Sequence, residues 1–129
     1  MSYSVCKNAA ENIFRSLQSN QDMIKKYDYF RIPLYNGYYD SYESEAEYND
    51  VQHMSNKIKQ DFKVLAYDCL PTEPYSGIIP EKEKIGRKIF SEYNEKFKLP
   101  FKVSFSHFCP AGGVFEFDYY YINIMKNDS

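Results

Sequence analysis

Residues 45–68 read EAEYNDVQHMSNKIKQDFKVLAYD, and the way this stretch is taken decides the fold. Val51, Met54, Ile58, Phe62 and Leu65, continued by Cys69, step by three or four residues, the spacing that gathers side chains on one face of an α-helix. The alternative ends the helix near Gln60 and makes a strand of FKVLAYD, residues 62–68, which would enlarge the sheet and move any cleft. The unbroken stripe favours one helix from about Glu45 to Asp68. Leu70-Pro71 ends it in either case, because the residue before a proline is pushed out of the helical region.

Working backward, Ser44 stands three residues before Glu47, the spacing of a capping box, and marks the helix start. Asn36-Gly37 is turn chemistry. Before it, Tyr29–Tyr35 (YFRIPLY) is aromatic and β-branched, but Pro33 lacks an N–H, so the run fits an edge strand. Val5, Ala9, Ile13 and Leu17, flanked by Cys6 and Phe14, predict a first helix over about 4–19. Asp22 could cap a further turn through Met23, Ile24 and Tyr27.

Working forward, PTEPYSGIIP at 71–80 holds three prolines and a glycine and reads as a connector. Pro80 suits the first turn of a helix running to about Phe97, with Ile85, Ile89, Phe90, Tyr93 and Phe97 inward. Phe101, Val103 and Phe105 alternate with Lys102, Ser104 and Ser106; Phe115, Phe117, Tyr119 and Tyr121 alternate with Glu116, Asp118 and Tyr120. With Cys109-Pro110-Ala111-Gly112-Gly113 between them, the two runs predict a β-hairpin with a five-residue or bulged loop. The order α-β-α-α-β-β makes an α+β fold: three helices on one face of a small, mostly antiparallel sheet ending in a C-terminal hairpin. One domain is expected over residues 1–129, since a chain of 129 residues can bury about two-thirds of its unfolded surface.

Hydrophobic residues make up 43% and aromatic residues 19%, the latter 14 Tyr and 10 Phe without Trp, so the core should be built largely from rings. A net charge of −2 gives no global field for nucleic acid or an anionic membrane. No apolar run approaches a membrane span and the start lacks a signal-peptide layout, so a cytosolic protein is expected. Cys6, Cys69 and Cys109 are odd in number and widely spaced, which predicts reduced thiols.

Function is read from fewer residues. In NGYYDSYESEAEYND, residues 36–50, Asp40, Glu43, Glu45, Glu47 and Asp50 meet no Lys or Arg and are interleaved with Tyr38, Tyr39, Tyr42 and Tyr48. Tyrosine joins a large rigid ring to a polar tip, the composition of a protein-binding surface. The leading expectation is a non-enzymatic binding protein, an inhibitor of a macromolecular partner such as a nucleic-acid-handling protein. Tyr38, Tyr39 and Tyr42 would anchor it, and Asp40, Glu43 and Glu47 would steer basic groups. The bland reading has these rings fold back on the core and Glu45 and Glu47 complement the helix dipole. A bias to Lys, Asn, Ile and Tyr suggests an AT-rich genome and is compatible with a phage or mobile-element accessory protein.

Two alternatives stay open. His107 and Cys109 flank a loop with Gly112-Gly113, where a thiolate beside an imidazolium could act as nucleophile, or a nucleotide-like ligand could sit. The exposed tyrosines could instead pair two copies as a homodimer. Glu116 and Asp118 share a strand face but have no third strong ligand, and His53 with His107 lacks a metal-binding spacing, so neither a metal nor a cofactor is expected.

Overall fold

The computed structural model describes residues 3–34, 42–68, 81–108 and 119–127. Helix α1 (Tyr3–Ser19) is followed by the short α2 (Gln21–Ile24), strand β1 (Tyr29–Pro33), helices α3 (Glu45–Asp68) and α4 (Glu81–Phe97), and strands β2 (Phe101–Phe108) and β3 (Tyr119–Lys126). Residues 62–68 are helical, as the stripe requires. Asp22, in contrast, does not cap α2. It lies inside the first turn; Asn20 holds the capping position and turns its amide back to the Ser16 carbonyl at 2.8 Å.

The sheet is antiparallel in the order β1-β3-β2, so β1 is an edge, the place where Pro33 costs no ladder bond. β3 is central and pairs Ile122 with Ile32 and Phe105, and Ile124 with Phe30 and Val103. These side chains form one buried face, and α4 lies on it with Phe90 and Phe105 ring centroids 5.3 Å apart. α1 and α3 run antiparallel: Asn12 bonds Asp61 and Asn20 meets His53. At the centre of the helical layer Phe14, fully buried, meets Phe90, Tyr93 and Phe97 at centroid distances of 5.8, 5.7 and 5.5 Å. Lys96 on α4 donates to Glu11 on α1 at 3.1 Å and, with Arg15, holds the Glu11 carboxyl below its ordinary range.

Three further expectations are corrected. A loop of 109–113 would pair Phe108 with Val114, but the structure pairs Phe108 with Tyr119. That shift is odd in length, so the faces of the last strand exchange: Tyr120, Ile122 and Ile124 join the core cluster, whereas Tyr121, expected inward, is buried outside that cluster under the Arg31 guanidinium. The 109–118 connection, with Cys109, Glu116 and Asp118, lies outside the described residues. Val5 and Ile85, expected on inward stripes, are exposed, both within the first five residues of their helices. Finally, Cys6 is disulfide-bonded. Its partner must be one of the two other cysteines of the chain, both outside the described residues; tertiary packing has joined what sequence spacing kept apart.

The second edge, β2, is guarded by a side chain. Asn94 of α4 donates to the Val103 carbonyl at 2.8 Å and accepts from the Val103 N–H at 2.9 Å, filling the rung a neighbouring strand would take. Asn94→Ala should therefore lower stability by about 1–2 kcal/mol and produce concentration-dependent association in sedimentation. On α3, the Ser55 hydroxyl is buried and has no hydrogen-bond partner among the described residues. Ser55→Ala should raise stability by about 1 kcal/mol in a denaturant titration, because it removes a desolvated polar group at the cost of no bond.

Candidate functional site

The start of α3 carries the acidic tyrosine surface. Ser44 Oγ accepts from the Glu47 N–H at 3.1 Å, so the expected cap forms and fixes where the helix begins. That cap sets the directions of the acids beyond it. Glu43 and Glu45 are exposed and Glu47 is half-buried, while Asp50, one turn further on, faces back toward the α2–β1 connection. Carboxylates in the first helical turn are favoured by the helix dipole, so this end of α3 holds negative charge at little energetic cost.

The tyrosines divide. Tyr42 is half-buried and packs against the core, with its ring 5.2 Å from Tyr48 in an edge-on contact. Tyr48, which is not among the expected anchors, is 43% exposed, so among the described residues its ring is the one on this surface that solvent reaches. Tyr38, Tyr39 and Asp40 lie outside the described residues. Of the six residues expected to bind a partner, the structure thus brings together Tyr42, Glu43 and Glu47 at one helix end.

It also adds a residue that the sequence did not point to. Tyr27 donates its hydroxyl to Asp50 Oδ2 at 2.5 Å, with Lys26 Nζ 4.0 Å from the same oxygen, and its ring lies 5.4 Å from that of Phe30. Twenty-three residues separate Tyr27 from Asp50, and no local pattern announces such a pair. Partial burial, then the bond to Asp50 and the nearby negative charge of Asp50 and Glu47, push the Tyr27 phenol up to about 12. A phenol whose folded value is raised stabilises the fold fully below its unfolded value, near 10, and that contribution is lost as pH rises toward 12. Spectrophotometric titration should show one late-ionising tyrosine that moves down toward the rest in Asp50→Asn.

The alternative site falls mostly outside the described residues. His107 lies at the end of β2, opposite Tyr120 in register, and Cys109 falls outside the described residues. His53, on α3, is exposed and has its Nε2 3.3 Å from Asn20 Oδ1, an interaction that ties α3 to the end of α1. Among the described residues no three His, Cys, Asp or Glu side chains gather as a metal site would require, and no helix is long and apolar enough to cross a membrane. In comparisons with protein-family models, curated proteins and solved structures, nothing matches this chain.

Proposed function

We propose that the protein is a non-enzymatic binding module that grips a basic surface of another protein through the start of α3. The observation that carries this reading is the juxtaposition of exposed Glu43 and Glu45 with the accessible ring of Tyr48, on a helix end already fixed by the Ser44 cap. Acids around an aromatic anchor supply both parts of a protein interface: charge that steers the encounter and selects the partner, and a ring that anchors the complex once formed. A nucleic-acid-handling protein offers the complementary basic surface, and inhibition would follow if the acids occupied its phosphate contacts. A phage or mobile-element origin and action in the cytosol belong to the same proposal. The Cys6 disulfide weighs against the cytosol, where thiols are kept reduced. Mapping of the bond in protein isolated with thiols blocked decides between the compartments.

The test is affinity capture from native lysate, comparing wild type with Glu43→Lys/Glu45→Lys/Tyr48→Ala. These positions are exposed, so the melting temperature should move little while the captured partner is lost. A partner retained equally by the variant would place binding elsewhere. Tyr42→Ala is the wrong probe, because its ring packs against the core and its removal would confound binding with stability.

A further inference from the structure

We propose that the groove between α4 and β2 is a binding site for a small organic oxyanion, a phosphate- or carboxylate-bearing molecule with an apolar body. This face is distinct from the acidic end of α3. The groove is open to solvent and offers about 690 Å³, inside the roughly 300–1,000 Å³ range of small-molecule sites. Among the described residues three cations, Arg87, Lys98 and Lys102, line it against one carboxylate, Glu95. The chain as a whole has more acids than bases, so the groove inverts the charge balance of the molecule.

Two further observations make the groove more than a dent with lysines around it. Lys98, the first residue after α4, adopts φ 50°, the left-handed region that glycine occupies without steric penalty. Its N–H still closes the helix on the Asn94 carbonyl at 3.2 Å, so the turn is a regular helix end in which a cation stands where glycine would be the easier choice. The second observation concerns the edge of β2. Val103 turns its N–H and C=O away from β3 toward Asn94, and antiparallel alternation gives Phe105 the same outward direction. The Phe105 N–H thereby points off the same edge of β2, and Phe105 itself lines the groove. The Arg87 guanidinium sits over the Phe105 ring, 5.4 Å from its centroid, so the lining includes a planar group whose geometry matches phosphate or carboxylate. Phe90, Leu99 and Phe105 supply the apolar floor for the body of the ligand.

The experiment is thermal melting and calorimetric titration of the full chain with phenyl phosphate, AMP, benzoate, inorganic phosphate and, as the uncharged control, adenosine. Saturable stabilisation by phenyl phosphate or AMP identifies a phosphate ligand, and by benzoate alone a carboxylate; adenosine should give none. Lys98→Gly removes the charge from a backbone that glycine fits, so it should fold normally and still weaken binding by about tenfold, as should Lys102→Ala. The proposal is overturned if none of the oxyanions binds saturably, if adenosine binds as well as AMP, if inorganic phosphate binds as tightly as phenyl phosphate, or if both variants bind like wild type.

Discussion

Phe14→Ala is expected to be the most damaging single substitution in the described part of the chain, costing about 3–5 kcal/mol. Phe14 is fully buried and its ring meets three others, all on α4. The lost transfer energy is therefore compounded by a cavity that three rigid rings cannot collapse to fill. Aromatic pairs add about 0.5–1.5 kcal/mol beyond area burial, and this residue forms three of them. A domain of this size is stable by about 5–15 kcal/mol, so the variant should be partly unfolded at ambient temperature or melt far below wild type. Phe14→Leu, which keeps most of the volume, should recover much of the loss. Denaturant titration checks both; a loss below about 1 kcal/mol for alanine would mean that α1 does not pack on α4 through this ring.

The second large effect concerns Cys6. It is 2% exposed near the start of α1 and its sulfur is in a disulfide. A covalent link across a long loop restricts the unfolded chain, and losing one commonly costs about 2–5 kcal/mol. Cys6→Ser and treatment of wild type with a reductant should therefore lower stability by similar amounts, and reductant should do nothing further to the variant. The antiparallel packing of α1 on α3 brings the start of α1 beside the end of α3, which Cys69 follows directly in sequence. Non-reducing peptide mapping should accordingly join Cys6 to Cys69, and the bond should survive Cys109→Ser but not Cys69→Ser. A free thiol at Cys6 in protein purified with thiols blocked would remove both the link and its predicted stabilisation.

What the amino-acid order determined by itself is what short-range periodicity and caps can encode. The stripe from Val51 to Leu65 made α3 a single helix of 24 residues, and Ser44 with Glu47 placed its first turn. Pro33 kept β1 at an edge, and the Phe101–Phe105 alternation made β2 a strand with one buried face. Each of these is a relation between residues within about one turn or one pleat, where backbone geometry alone decides which side chains share a face.

Tertiary structure decided the rest. Strand register is a relation between segments, and the five-residue displacement from the expected hairpin exchanged the faces of β3 through its period of two. The Tyr27–Asp50 bond, the Cys6 disulfide and the Asn94 guard on β2 each depend on how helices come to lie against their neighbours. The candidate surface divides the same way. Its acids were legible because charge shows in composition, whereas the roles of its rings were not, because Tyr42 and Tyr48 share a chemistry and differ only in how much of each the core covers. Burial is a property of the packed chain, and only the fold could decide which tyrosine supports the surface and which one it offers.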